Sequence, residues 1–235
     1  MVLDEIQKEL EALASPEAAR TAQWFFKTGP GEYGEEDVFR GIRVPILRKL
    51  AGKYEDVGLS VTERLLESAF HEDRLLALFI LVRAYAGGDE AARRRIYDLY
   101  LRHTHHINNW DLVDSSAEHI VGAHLKMNGE RETLANLARS NSLWERRIAI
   151  MATFHFIKQG EFAETLRIAQ VLLHDSEDLI HKAVGWMLRE VGKRSMPAEE
   201  EFLRDRYKEM PRTMLRYAIE RFPEHLRLAY LKGTA

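Results

Sequence analysis

The chain is predicted to be all-α, an α-α superhelix of the HEAT-like or armadillo type, on three observations. Apolar residues recur at helical spacing along its whole length, and strand-like alternation is absent. The interruptions at Gly87-Gly88, Asn128-Gly129, Gly160 and Pro197 are helix-terminating chemistry. The helix pairs also repeat. Trp144-Glu145-Arg146-Arg147-Ile148-Ala149-Ile150 aligns with Leu179-Ile180-His181-Lys182-Ala183-Val184-Gly185 at a shift of 35; Arg74 precedes Trp110 by 36, and Arg147 follows Asp114 by 33. A period of about 35 to 40 residues built of helix pairs marks an α-solenoid, whose concave face is lined by one helix per repeat.

With 235 residues, 46% of them apolar and 30% charged, the chain has enough material for a sizeable core. A single domain over residues 1–235 is expected, with N-terminal helices and a loop to 58 and repeats from 59 onward. The absence of cysteine excludes a disulfide framework and thiolate zinc sites, and fits a cytoplasmic location. Met1 to Leu13 alternates acids with leucines, unlike a secretory leader, and no apolar run approaches the ~20 residues of a membrane span. A net charge of −3 gives no global nucleic-acid signal, so any polyanionic partner would need locally clustered Arg and Lys.

Glu5 to Leu13 reads as a first helix with Ile6, Leu10 and Leu13 as its apolar stripe. Ser15-Pro16 then caps and restarts the chain. The second helix runs to about Thr28 and carries Trp24, Phe25 and Phe26 together, much aromatic surface for one helix face; either all three rings are core or at least one faces a groove or partner. Gly29 to Gly34 is a polar loop; lacking a preceding strand and the GxxxxGK[ST] spacing, it is no phosphate cradle. Phe39 to Pro45 leads into a helix with Ile46, Leu47 and Leu50 on one side. Helices are then expected at 61–70, 73–85, 89–103, 110–127, 130–138, 143–158, 162–173, 178–193 and 199–209, with two shorter pieces to the end. Small Ala77, Ala149 and Ala183 let helices of successive pairs approach. His103, His105 and His106 sit at a helix end with no carboxylate at ligand spacing and read as a cap on the helix dipole, so no metal is assigned.

The stretch from Asn108 to Ser116 stands apart. Trp110 and Asp114, four residues apart, share one helix face, and Asn108 or Asn109 caps that helix. In the repeat register Arg74, Trp110, Asp114, Arg147, Lys182 and Trp186 fall on the inner face, with Arg83, Arg146, Arg189, Lys193 and Arg194 nearby: a basic groove holding two indoles and one carboxylate. Two readings stand. Asp114 and Arg147 form a structural brace between repeats, or arginines hold phosphates while sugars and bases rest on aromatic rings. A protein-binding solenoid would instead expose apolar residues on the concave face.

Trp110-Asp111-x-Val113-Asp114, Trp144-x-x-Arg147-x-Ala149-Ile150 and Lys182-Ala183-x-Gly185-Trp186-x-Leu188-Arg189-Glu190 resemble the AlkD family of DNA alkylation-repair glycosylases. Phe39-x-Gly41-Ile42-x-x-Pro45 is similar to that family's N-terminal signature, so the likeness spans about residues 20 to 195. The resemblance implies a HEAT-like solenoid holding double-stranded DNA on its concave face. It also implies excision of cationic alkylated purines, chiefly N3-methyladenine and N7-methylguanine; a monomer without cofactor, metal or membrane is expected. By the same resemblance Asp114 is the catalytic carboxylate, Arg147 its partner, and Trp110 and Trp186 the indoles flanking the lesion's deoxyribose. DNA contacts fall to Phe25, Lys27, Arg43, Arg74, Arg146, Lys182, Arg189 and Lys193. The family's N-terminal DNA-contacting tyrosine has no counterpart, Phe25 or Trp24 being nearest, and Asn109 stands where some relatives carry a second tryptophan. The alternative is a catalytically silent HEAT-repeat protein that binds DNA of unusual structure; the pairing of Asp114 with Arg147 argues against it, since a pure binder has no use for an acid in a phosphate groove.

Overall fold

The computed structural model describes residues 2–35 and 37–235; among them there is no strand, only a single parallel bridge between Val38 and Phe70. The helices group into two compact units, Met1–Ile120 and Val121–Ala235. The first contains α1 (Val2–Ala12), α2 (Pro16–Phe25), α3 (Val44–Lys53), α4 (Leu59–Leu66), α5 (His71–Gly87), α6 (Glu90–Arg102) and α7 (Trp110–Asp114). Its centre is α5, which packs against α3, α4 and α6 and buries every residue from His71 to Leu81. A helix apolar on all sides belongs in the middle of a layer of others. Ser15 caps α2, accepting from the Ala18 N–H at 3.3 Å, with Pro16 in the first turn.

The second unit contains α8 (Ala123–Asn128), α9 (Glu132–Ala138), α10 (Leu143–Ala152), α11 (Phe154–Lys158), α12 (Ala163–Val171), α13 (Asp178–Gly192), α14 (Met196–Arg204), α15 (Arg212–Ala218) and α16 (Glu224–Lys232). Here α13 is the hub, packing against α10, α14 and α15. Ala149 and Ala183 are buried, as is Ala77 in the first unit. At Gly185 an added Cβ would lie 2.4 Å from the Met214 carbonyl oxygen and 2.5 Å from the Tyr217 Cβ, so α13 and α15 meet almost backbone to backbone.

Two long helices expected from periodicity are broken. In place of one helix over 110–127, α7 ends at Asp114 and a π turn spans Glu118–Gly122 before α8. The hydroxyls of Ser115 and Ser116 both donate to the Leu112 carbonyl, at 3.2 and 2.6 Å, replacing backbone partners. The expected 143–158 helix divides likewise at Thr153, whose hydroxyl donates to the Ile150 carbonyl at 2.7 Å. The second helix stops at Phe25, short of Thr28, because Lys27 turns into the left-handed region with φ 53°.

One buried acid in the second unit is a stability liability. Glu199 is 1% exposed, its Oε1 has no partner, and burial followed by repulsion from Glu200 raises its pKa to about 9. The folded chain therefore holds a proton that the unfolded chain releases above its ordinary value of 4.5, and stability falls as pH rises from there toward 9. Glu199→Gln is expected to raise stability at pH 8 by about 1–3 kcal/mol, with little gain at pH 4; urea melts at the two pH values check this.

Candidate functional site

The first unit builds a polar and aromatic cluster around the start of α5. Four consecutive charged or titratable residues, His71, Glu72, Asp73 and Arg74, are all buried there. Each is answered. The Glu72 carboxylate accepts the backbone N–H groups of Arg40 (2.8 Å), Gly41 (2.7 Å) and Ile42 (3.1 Å), stitching the segment before α3 to α5. Asp73 takes Arg40 in a two-point contact at 2.6 and 3.0 Å and the Ser68 hydroxyl at 2.8 Å. Gly41 has φ 80°, and a Cβ there would lie 2.2 Å from the Ser15 carbonyl oxygen, so the turn admits only glycine.

His71 lies between two acids. Its Nδ1 is 3.1 Å from Asp37 and its Nε2 is 2.9 Å from Asp111. Carboxylates only accept, so both ring nitrogens carry hydrogens and the ring is an imidazolium. Burial alone pushes its pKa down; Asp111 and Asp37 outweigh burial and raise it to about 9. Asp37 also binds the Arg74 guanidinium and accepts from Asn109 Nδ2 at 2.6 Å. Burial pushes its pKa up, but His71, Arg74 and Asn109 prevail and hold it below the ordinary value. Two carboxylates thus face two cations, which makes burial tolerable.

That cluster fixes the start of α7. Asn109, fully buried, accepts the Trp110 N–H at 2.8 Å through Oδ1 while Nδ2 holds Asp37, and Asn108 Oδ1 accepts from Arg74 at 3.1 Å. Rings continue the support. His71 stacks on Phe39 with centroids 4.7 Å apart and lies 4.9 Å from Phe26; Phe26 stacks on Trp110 at 5.4 Å, and Phe25 meets Trp110 edge-on at 5.9 Å. One turn beyond Trp110, half-buried Asp114 ends the helix. Beside the cluster opens a cavity of about 620 Å³ lined by Phe25, Phe26, Phe39, Ile42, Val44 and the edges of His71 and Asp111.

Of the residues singled out from the sequence, Phe25 is brought onto Trp110 and remains 56% exposed, while Trp24 is 84% exposed. Lys27 and Arg43 are exposed. Arg74 is a correction: its expected place lining an inner face gives way to burial, where it binds Asp37, Asn108 and the carbonyls of Ser68 (2.9 Å) and Ala69 (3.0 Å). The helix-pair register put Arg74 level with Trp110, but Asp37, Asn108 and two carbonyls draw the guanidinium inward.

In the second unit Arg147 is buried on α10 and donates to the Leu179 carbonyl at 2.5 Å. Arg146 is turned inward, onto Asp175 at 2.6 Å and the carbonyls of Ser140 and Asn141, both at 3.1 Å. Lys182 pairs with Asp178 at 2.7 Å, and Arg189 binds Glu220. Trp186 lies half-buried on α13, its indole N–H donating to Glu190 at 3.3 Å and its ring 6.2 Å from Phe154. Glu190 also gathers Lys193 at 2.5 Å and Arg194 at 3.1 Å. Burial pushes Glu190 up, but these cations hold it below its ordinary value.

A family model described as DNA alkylation repair enzyme matches residues 6–222. The chain belongs to that family. Among solved structures it is similar to a predicted DNA alkylation repair enzyme from Enterococcus faecalis, with a TM-score of 0.71 and 17% identity over 90% of this chain and 97% of that one. AlkD2 from Streptococcus mutans is similar at a TM-score of 0.54 and 17% identity, over 95% of this chain and 98% of the other. Identity this low speaks for the fold, an all-α chain of helical repeats. No curated protein matches the sequence.

For this member of the DNA alkylation repair enzymes, the N-terminal stretch singled out from the sequence acquires physical reasons. In Phe39-x-Gly41-Ile42, Phe39 stacks on His71, Gly41 admits the tight turn and Ile42 is buried. Sequence reasoning missed Asp37, His71, Glu72 and Asp111. A signal was present: His71-Glu72-Asp73-Arg74 directly precedes the apolar run Leu75 to Leu81, and a charged tetrad opening a helix that is otherwise apolar has to be answered by partners. Among the described residues no three His, Cys, Asp or Glu side chains gather as metal ligands, and no helix is long and apolar enough to cross a membrane.

Proposed function

We propose that the protein is a DNA glycosylase that hydrolyses the N-glycosidic bond of cationic alkylated purines, N3-methyladenine and N7-methylguanine, in duplex DNA. The observation that carries this is Asp114 on a five-residue helix with Trp110, inside a chain of the DNA alkylation repair family. The alkyl group gives the purine a formal positive charge. When the bond from C1′ to the purine breaks, its electron pair neutralises the departing base, so no general acid is needed. The sugar is left oxocarbenium-like. Asp114 supplies a fixed negative charge to it and orients the water that adds to C1′, whose proton passes to solvent. The Trp110 face adds cation–π stabilisation, and a rigid indole is what the stack on Phe26 provides. The family resemblance assigns Arg147 and Trp186 to the same reaction, and exposed Phe25, Lys27 and Arg43 to the DNA.

The charge argument makes the substrate range testable. Duplex DNA carrying N7-methylguanine is expected to lose that base in the presence of the protein, while a duplex carrying hypoxanthine, a neutral lesion, stays intact at the same enzyme excess. Comparable release of hypoxanthine would overturn the mechanism, because a neutral base needs a proton that this scheme does not supply.

A further inference from the structure

Resting on that reading, we infer that His71 is a positioning residue for base release: bridged between Asp37 and Asp111, it ties the helix that carries Trp110 and Asp114 to the aromatic layer beneath it. The bridge has two ends on different elements. Asp37 belongs to the segment after α2, whereas Asp111 is the second residue of α7, at hydrogen-bond distance from a ring that is itself stacked on Phe39 and close to Phe26. A five-residue helix has too few internal hydrogen bonds to hold its own orientation. Its bearing comes from outside, from Asn109 at one end and from Asp111 through His71 on its flank. His71 acts through Asp111, with which it shares a hydrogen bond, and through Phe26, on which Trp110 stacks.

The charged groups around the ring are few and named. Asp37 faces Nδ1 and Asp111 faces Nε2; Arg74, one turn along α5, answers Asp37; Glu72 on the same helix is turned to the backbone of residues 40–42. With His71 charged, the two acids are bridged. With it neutral, one nitrogen has no hydrogen to offer, and a carboxylate faces a lone pair in a buried place. The raised value near 9 places that loss on the alkaline side: the tie holds while the ring is charged and is lost as pH rises through about 9, and its contribution to stability is complete below about 6.5.

The test uses the full chain in four forms: wild type, Asp114→Asn as the reference for lost chemistry, His71→Gln, and the gentler Asp111→Asn, which keeps shape and removes one of the two charges holding the imidazolium. Single-turnover release of N7-methylguanine from methylated duplex is followed from pH 6 to 10, and backbone hydrogen exchange of residues 109–114 is measured without DNA. The expected result is a tenfold or greater fall in rate for His71→Gln and Asp111→Asn with duplex affinity unchanged, an alkaline limb that moves to lower pH in Asp111→Asn, and faster exchange confined to 109–114. Wild-type rates, pH profiles and exchange in His71→Gln and Asp111→Asn, while Asp114→Asn is slowed as expected, would overturn the role of His71 and leave the glycosylase reading standing. If the wild type releases no base, the glycosylase reading falls. Exchange then still decides the tie: local loosening supports it and unchanged protection overturns it.

Discussion

Asp114→Asn is expected to lower single-turnover release of N7-methylguanine by roughly 10²–10³-fold, about 3–4 kcal/mol of transition-state stabilisation, while duplex affinity stays the same or tightens. The substitution preserves the volume and hydrogen-bonding outline of the side chain and removes its charge. If the carboxylate acts on a developing positive sugar, the loss is confined to the chemical step. If the acid only braces the helices, the neutral amide keeps much of that function and the rate changes little while stability drops. Rate and urea midpoint, measured on the same preparation, separate the two. A rate within a few-fold of wild type would remove Asp114 from the mechanism.

Arg74→Ala is expected to cost about 3–5 kcal/mol of stability, because it strands Asp37 in a buried place with half of its positive partners gone. The same change releases the carbonyls of Ser68 and Ala69 and the Asn108 amide. A phosphate-contacting arginine would behave differently: stability unchanged, and the salt dependence of DNA binding reduced by about one counterion. Denaturation together with a salt titration of binding distinguishes an internal anchor from a surface contact. An unchanged melting midpoint would contradict the burial argument.

The helical class and nearly all helix positions were legible in the sequence because a period of 3.6 in apolar residues is a direct trace of one-sided burial. The breaks at Ser115 and Thr153 were not, since both interrupt apolar patterns that continue in phase, and the cause is a hydroxyl taking a carbonyl within the same turn. At the site, Trp110 and Asp114 were visible through their spacing, and Asn109 through its capping chemistry. The Asp37–His71–Asp111 bridge was invisible: its members are 34 and 40 residues apart in sequence, and only the fold brings them within hydrogen-bond reach. Arg74 misled for the related reason that a repeat register reports which face a residue starts from, and not which partners lie within its reach.

The contact at Gly185 bears on how this architecture drifts over evolutionary time. Where two helices rest on one another through a hydrogen atom, a carbonyl and a Cβ, their spacing at that point does not depend on the length of any side chain. Substitutions elsewhere on α13 and α15 can accumulate without prising the pair apart, and the bearing of the next residue, Trp186, is inherited from the main chain. A scaffold anchored this way forbids a single methyl group at one spot.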